Sequence, residues 1–261
     1  MLKPHSDAWY DRLATLQSGY FYPWRSTVPP YNGEDTFLAM LDSLLAPDKD
    51  VLEVGCGHGA MALDYAPRCR SVLAVDRVPA FVELARQGAR AQGIANVQFV
   101  CDEGYDEEAQ RPRIPAADRS FDLLISRRGP LHWVEDAKRV GRPGAVLLML
   151  NPVHAPLLQW NDWLPPALQV APPPDYTRRQ SVERYLGLGG LRLESCWSFD
   201  VPEWFDEPLE LYRKLTFGLP PEEAPGYEAV EPVLARIFSE YGENGRFAQR
   251  FCRFLWQAVV K

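Results

Sequence analysis

The residues best suited to chemistry lie in one short stretch that follows a run of apolar residues. Three glycines, Gly55, Gly57 and Gly59, fall within five positions and come shortly after Glu53. Glycines at this spacing let the backbone turn tightly and approach a ligand closely. Asp76 lies 23 residues after Glu53, at the end of the next apolar run. A carboxylate there can accept hydrogen bonds from both hydroxyls of a ribose, so the pattern predicts a site for an adenosine-type ligand.

The glycine spacing alone fits two kinds of ligand. Gly55, Gly57 and Ala60 formally match the G-x-G-x-x-G/A fingerprint of dinucleotide-binding proteins. Glu53 opposes this interpretation, because a carboxylate beside the turn would repel a pyrophosphate but would tolerate or attract an ammonium or a sulfonium. S-adenosylmethionine therefore suits the site better than NAD, and an NAD-dependent oxidoreductase remains an alternative.

A sheet must position these residues, because short apolar runs alternate with helical stretches from residue 50 onward. Strands are predicted over five segments: 51–54, 71–75, 97–100, 121–125 and 145–150. Helices are predicted between most of them: about residues 59–66, 79–92 and 132–140. The alternation predicts an α/β fold, a doubly wound Rossmann-like sandwich with a mostly parallel sheet.

The chain is predicted to form one overall domain with three segments. Residues 1–49 are helical and aromatic and would form an N-terminal cover, and residues 50–150 would form the cofactor-binding core. Residues 151–261 would complete the sheet and supply substrate-side segments, with irregular structure over the proline-rich residues 151–176. The elements predicted after residue 176 are helices near 180–187, 207–217 and 228–241 and strands at 191–199 and 251–260.

Composition excludes several classes of protein. With 46% hydrophobic and 24% charged residues, the chain has the balance of a globular protein. It contains no apolar stretch of roughly 18 residues and no apolar leader near its start, which predicts a cytoplasmic protein without a membrane span. A net charge of −7 disfavours nucleic acid as a partner. Five scattered cysteines predict reduced thiols and no metal site.

Four motifs in order resemble the class I S-adenosylmethionine-dependent methyltransferase family, in particular its small-molecule and quinone-type members. Residues 53–59 (EVGCGHG) are similar to the first motif of that family, and Asp76 ends the second strand as expected. Residues 114–123 (IPAADRSFDL) are similar to its LPF-x-D-x-SFDL approach to the fourth strand, and residues 139–145 (RVGRPGA) to its RVLRPGG motif. The resemblance covers about residues 45–150.

The resemblance implies a cofactor, S-adenosylmethionine, and a set of residues that bind it. This set is Glu53, Gly55, Cys56, Gly57, Gly59, Asp76, Arg77, Asp102, Glu103 and Ser126. The glycines would pass under the methionine part and Asp76 would hold the ribose. Asp102 and the backbone of Glu103 would meet the adenine, unless Asp102 is a helix N-cap. Ser126 would face the methionine part through its carbonyl.

The catalytic residues are less clearly marked than the cofactor site. His132 follows the fourth predicted strand and could act as a general base. Arg127 and Arg128 could hold an anionic substrate bidentately. The aromatic residues 20–24 could form a lid over a sulfonium or could simply pack. A base-methylating N-P-P-Y motif is missing from residues 126–130 (SRRGP), which weakens the case for a nucleic-acid substrate.

The predicted activity is methyl transfer from S-adenosylmethionine to a small-molecule acceptor by in-line displacement. The protein would mainly align the reactants and exclude water. Besides the oxidoreductase, two alternatives stay open: an RNA or DNA methyltransferase and a non-catalytic S-adenosylmethionine-binding protein. The acceptor, the atom methylated and the oligomeric state are left open by the sequence.

Overall fold

The computed structural model describes residues 6–261, so the first five residues of the predicted cover segment lie outside the described residues. The chain forms two compact units. The larger unit comprises Gly33–Val153, Tyr176–Ser198 and Arg253–Lys261. The smaller unit comprises the residues up to Asn32 together with His154–Asp175 and Phe199–Cys252. The roles predicted for residues 1–49 and 151–261, a cover and a substrate side, stay predictions.

Within residues 6–261 the structure has eight α-helices and nine strands. In chain order they are α1 (Asp7–Leu16), α2 (Glu34–Leu44), β1 (Asp50–Val54), α3 (Ala60–Tyr65), β2 (Ser71–Asp76), α4 (Pro79–Gln92), β3 (Val97–Cys101), β4 (Tyr105–Asp106), β5 (Arg111–Pro112), β6 (Phe121–Arg127), α5 (Ala137–Val140), β7 (Gly141–Pro152), α6 (Arg178–Leu188), β8 (Leu193–Phe205), α7 (Pro208–Leu215), α8 (Tyr227–Tyr241) and β9 (Phe247–Val259). None of the helices described here is long and apolar enough to cross a membrane.

Seven of the strands form one sheet in the order β3-β2-β1-β6-β7-β9-β8. The five neighbouring strands β3, β2, β1, β6 and β7 are parallel, and β9 runs antiparallel to β7. The predicted fold class, a doubly wound sandwich with a mostly parallel sheet, is confirmed. All five strands predicted between residues 51 and 150 are present, because continuous apolar runs are typical of strands covered on both faces.

The parallel register brings the chemically interesting residues to one edge of the sheet. Val54 pairs with Val75, and Glu53 pairs with Ile125, so β1, β2 and β6 end side by side. Ligands of open α/β sheets bind beyond these carboxyl ends. The buried strand residues Leu52 and Leu124 anchor the edge from within the core.

Two elements differ from the sequence prediction. The helix predicted over 132–140 is a 3-10 helix, His132–Asp136, followed by the single turn of α5. The side chain of Asp136 accepts a hydrogen bond from the N–H of Ile114, a tertiary contact that the local sequence pattern does not predict. The strand predicted at 191–199 extends to Phe205, and it tolerates Pro202 because β8 lies at the edge of the sheet.

The smaller unit has its own apolar core, in which the predicted aromatic run takes part. Tyr22 stacks on Trp24 with ring centroids 4.4 Å apart, and both rings pack against Phe217. The buried carboxylate of Glu203 accepts hydrogen bonds from Trp24 Nε1 and Ser26 Oγ. These contacts account for the aromatic run by packing within its own unit, and a lid role stays a prediction.

Candidate functional site

The glycine turn between β1 and α3 has the backbone that the spacing predicts. Gly55, Gly57 and Gly59 all have positive φ values, of 78°, 55° and 78°. A Cβ built on Gly59 would lie 2.7 Å from Ala85 Cβ and from Phe99 Cε1, so no larger residue fits between the turn and the elements beneath it. Both the left-handed backbone and the close packing therefore require glycine at this position.

The N–H groups of the turn are used inside the protein. Those of Gly55 and Cys56 donate to the carbonyl oxygen of Val75, at 2.8 and 3.2 Å. That of Gly57 donates to Asp76 Oδ2 at 2.7 Å. A pyrophosphate is normally held by backbone N–H groups of such a turn. Their internal use argues against the NAD-dependent alternative.

Asp76 ends β2 and links the turn to the start of α4. Its Oδ2 accepts from Gly57 N–H, and its Oδ1 accepts from Val78 N–H at 2.9 Å. Burial raises the pKa of Asp76, although these hydrogen bonds act in the opposite direction. Each carboxylate oxygen can accept a second hydrogen bond, so the side chain is fixed in place and still able to accept two hydroxyls.

Glu53 is the most deeply buried acidic group at this edge. It is 2% exposed, and Oε2 accepts the hydroxyl hydrogen of Tyr65 at 2.9 Å. Burial raises the pKa of Glu53 to about 7, while Tyr65 and the positive charge of Arg127 act to lower it. Within residues 6–261 the Oε1 atom has no hydrogen-bond partner, so it can accept from a cationic ligand group. Among the described contacts, the Glu53 carboxylate accepts from the Tyr65 hydroxyl and from no backbone amide.

The other predicted cofactor residues surround the same edge. Asp102 N–H donates to the carbonyl oxygen of Asp76, and Asp102 Oδ1 accepts from Gly104 N–H at 2.6 Å. Asp102 thus stabilises a turn and caps no helix. Glu103 is exposed, whereas Arg77 is half-buried directly after Asp76.

Ser126 and Cys56 are structural neighbours of the turn. Ser126 is fully buried, and its Oγ donates to the carbonyl oxygen of Val54 at 2.6 Å, which ties the end of β6 to the end of β1. Burial raises the pKa of the Cys56 thiol well above its usual range. Cys56 is therefore a small buried filler and a poor nucleophile.

The two catalytic candidates lie in different surroundings. His132 is half-buried at the start of its 3-10 helix, and within the described chain no hydrogen bond or ion pair orients its ring. Arg127 ends β6, and its Nε donates to Glu34 Oε2 at 2.6 Å. The structure thus places Arg127 in an organised polar cluster and leaves His132 outside one. Both catalytic roles stay predictions.

Three residues of this region were missed by the sequence analysis. Tyr65 contacts Glu53 across the length of α3, and no pattern marks that pairing. Glu34 begins α2 far from Arg127 in the chain. Arg253 Nε donates to Glu34 Oε1 at 2.8 Å, and its signal was available: it is a charged residue inside the apolar run of β9. Over residues 6–261 no group of three or more His, Cys, Asp or Glu residues is arranged to hold a metal ion.

Comparison with known proteins places a domain on this part of the chain. A family profile described as a methyltransferase domain matches residues 51–145. The uncharacterized methyltransferase YcgJ of Bacillus subtilis is 29% identical over 115 residues, which is 44% of this chain and 43% of that protein. The match therefore spans less than half the length of this curated relative.

Solved structures share the fold over almost the whole chain. A functionally unknown protein from Deinococcus radiodurans has a TM-score of 0.66 and 24% identity, covering 97% of this chain and 99% of that one. YcgJ from Bacillus subtilis has a TM-score of 0.57 and 17% identity, covering 87% and 99%. These likenesses show a common fold. The profile match, for its part, identifies residues 51–145 as similar to a methyltransferase domain.

Proposed function

We propose that this protein binds S-adenosylmethionine at the glycine turn and transfers its methyl group to a small-molecule acceptor. One observation carries the proposal: the carboxylates of Glu53 and Asp76 flank a turn whose N–H groups are already used inside the protein. Such a site suits a ligand with hydroxyls and a positive charge and disfavours a phosphate. The match of residues 51–145 to a methyltransferase domain supports the same ligand.

The polar residues around the turn have separate roles in this proposal. Asp76 would accept the ribose hydroxyls with the lone pairs that the backbone does not use. Glu53 would accept from the amino group through Oε1, while Tyr65 fixes the carboxylate through Oε2. Asp102 and the backbone of Glu103 would contact the adenine, and the carbonyl of Ser126 would contact the methionine part.

The protein itself would contribute little to the activation of the methyl group. When bound, S-adenosylmethionine supplies a methyl group that is already activated by its sulfonium. The chain's own residues would bind the two reactants, align them and exclude water. Alignment lowers the entropic part of the barrier, so the protein need not supply a nucleophile. Glu53 contributes a carboxyl group whose pKa is raised to about 7. A cationic ligand group beside it would favour the ionised form.

The acceptor is proposed to be a small molecule because of the charge of the chain. A net charge of −7 opposes binding to a phosphate backbone. Retention of the protein on heparin at physiological salt would instead support the RNA or DNA alternative.

Titration calorimetry tests the cofactor site. The protein should bind S-adenosylmethionine and should not bind NADH. The variant Asp76→Asn should weaken binding by about a hundredfold or more, because two hydrogen bonds to a charged acceptor are lost or impaired. The matched control is Asp64→Asn, whose side chain is 82% exposed and lies away from the turn on α3. Equal affinity in both variants would contradict the ribose role.

Turnover needs a separate experiment, because binding does not prove catalysis. The protein would be incubated with S-adenosylmethionine and an extract of small metabolites, and products that gain one methyl group would be sought by mass spectrometry. Methylated products that disappear with Asp76→Asn would support the enzyme. Tight cofactor binding with no product from any extract would favour the non-catalytic alternative.

A further inference from the structure

A short loop, residues 128–130, follows β6 and lies against the glycine turn. A Cβ built on Gly55 would lie 3.2 Å from Gly129 Cα and 3.4 Å from Pro130 Cδ. We name residues 128–130 the turn-facing loop. Because its atoms lie this close to the first glycine of the turn, the position of the loop limits the space in which a ligand of the turn can lie.

Gly129 allows this close approach, because a side chain there would have no room. A Cβ added to Gly129 would overlap Ser126 Oγ and would lie 2.9 Å from the carbonyl oxygen of Val54. Ser126 Oγ donates a hydrogen bond to that same carbonyl oxygen at 2.6 Å. Any larger residue at position 129 would therefore push the loop away from the ends of β1 and β6.

The loop is held on its other side by the end of β7. Arg128 N–H donates to the carbonyl oxygen of Leu150 at 2.7 Å. This hydrogen bond helps to maintain a φ of 67° at Arg128, which residues other than glycine seldom adopt. The next residue of β7 is Asn151, whose Nδ2 donates a weak hydrogen bond of 3.5 Å to the carbonyl oxygen of Gly129. Two neighbouring residues of β7 thus bind two neighbouring residues of the loop.

The orientation of the Asn151 amide is fixed from the opposite direction by Trp256. Asn151 is 2% exposed, and its Oδ1 accepts a hydrogen bond from Trp256 Nε1 at 2.8 Å. An indole nitrogen can only donate, so the atom that faces it must be the amide oxygen, and the NH2 group faces Gly129. Trp256 is itself fully buried on β9 and pairs with Met149 of β7. The amide therefore links the core of the sheet to the turn-facing loop.

We infer that Asn151 is a positioning residue, which holds the turn-facing loop against the glycine turn and so fixes one wall of the cofactor site. It acts through Gly129 and not by contact with the ligand. The inference deepens the proposed function and depends on it for the identity of the ligand. The hold on the loop is a property of the ligand-free protein, so it is measurable separately.

Hydrogen exchange in the ligand-free protein tests the hold on the loop. The variant Asn151→Leu has a side chain of similar volume that donates no hydrogen bond. In this variant the Arg128 N–H should exchange about fivefold faster, since the loop opens more often when one hydrogen bond is lost. The N–H of Gly144, which donates to the carbonyl oxygen of Val260 near the other end of β7, is the internal reference and should keep its rate. An unchanged rate at Arg128, or an equal increase at both positions, would overturn the inference.

Titration calorimetry with S-adenosylmethionine tests the effect on the cofactor site. Asn151→Leu should weaken binding by about threefold to tenfold, since the loop no longer keeps one position. Trp256→Phe removes the donor to Oδ1 but leaves the amide able to donate to Gly129. It should lower the free energy of unfolding and change the affinity less than Asn151→Leu does. A role of Asn151 in stability alone would instead make the two variants alike in affinity.

Asn96 offers the matched control in the same unit. Its Nδ2 donates to two backbone carbonyl oxygens at 2.7 and 3.0 Å, and it directly precedes β3, at the amino edge of the sheet and away from the turn. Asn96→Leu should lower the free energy of unfolding and leave cofactor affinity unchanged. Equal affinities in Asn96→Leu and Asn151→Leu would overturn the role of Asn151 in cofactor binding.

Gly129→Ala keeps the inference testable should Asn151→Leu fail to fold. The added methyl group should displace the loop from the ends of β1 and β6 and weaken cofactor binding at least as much. Normal affinity in that variant would overturn the inference, because the loop would then form no wall of the site. A wild-type protein that does not bind S-adenosylmethionine would contradict the proposed function, and the exchange rates would still decide whether Asn151 holds the loop.

Discussion

Glu53 at the glycine turn and Glu34, which lies beside three arginines (Arg127, Arg128 and Arg253), are both withdrawn from solvent, yet their surroundings move their pKa values in opposite directions. Burial raises the pKa of Glu53 to about 7, because the hydrogen bond from the Tyr65 hydroxyl, which is the main contribution in the opposite direction, does not offset the loss of hydration. Burial also acts to raise the pKa of Glu34, but the three arginines together outweigh it and the pKa is lowered. The difference lies in the partners, because both carboxylates lose hydration.

This difference indicates what kind of ligand each of the two carboxylates favours. A buried carboxylate with one neutral donor gains from a positively charged ligand, whereas a carboxylate that already pairs with guanidinium groups gains little from one. The two regions lie along one edge of one sheet.

The largest expected effect concerns the glycine turn and not the surroundings of Glu34. Gly59→Ala should lower the free energy of unfolding by about 3 kcal/mol, from left-handed backbone strain plus overpacking against Ala85 and Phe99. Gly93→Ala is the matched control, because Gly93 has a φ of 66° and open space around its Cβ position. It should cost about 1 kcal/mol, from strain only. Equal losses in denaturant unfolding would show that packing under Gly59 is unimportant.

The next effect tests the raised pKa of Glu53. The folded protein holds this proton up to about pH 7, whereas the unfolded chain loses it near 4.5. Stability from the protonated group is therefore complete below pH 4.5 and falls as the pH rises to about 7. Glu53→Gln should remove this fall, worth about 2.5 kcal/mol between pH 5 and 8. The exposed control Asp64→Asn should keep it, and an unchanged slope in Glu53→Gln would contradict the shift.

Glu34 and the arginines beside it should show the reverse dependence on pH. Because the pKa of Glu34 is lowered on folding, its contribution is present above pH 4.5 and is lost as the pH falls through the folded pKa. Arg253→Gln should lower the free energy of unfolding by about 1.5 kcal/mol at pH 7, since a charge-assisted hydrogen bond is lost. The loss should shrink in acid. A loss that persists at low pH would mean that Arg253 stabilises the chain by packing.

The sheet was predictable because its strands are continuous apolar runs separated by helices. The turn was predictable as well, since three glycines and a distant aspartate form a local signature. The 3-10 geometry of His132–Asp136 was not, because it depends on a tertiary contact between Asp136 and Ile114.

The partners that set the two charge environments were also beyond the sequence. Arg127 was a candidate for anion binding, but its meeting with Glu34 and Arg253 joins three segments that are remote in the chain. Tyr65 looks like one more apolar residue of α3. Pairings of this kind depend on how the segments fold together, and a single sequence carries no local mark of them.

The smallest expected effect concerns the hydroxyl of Tyr65, which is the main group that offsets the burial of the Glu53 carboxylate. Tyr65→Phe removes the donor to Oε2 and keeps the aromatic ring in the core. Because the hydrogen bond stabilises the ionised form, the pKa of Glu53 should rise further above 7. At pH 8 the free energy of unfolding should fall by about 1 kcal/mol, and at pH 5, where Glu53 is protonated, by less. Unfolding by urea at both pH values measures the difference. In the Glu53→Gln background the pH dependence of the Tyr65→Phe effect should vanish, and its persistence there would show that Tyr65 acts through another group.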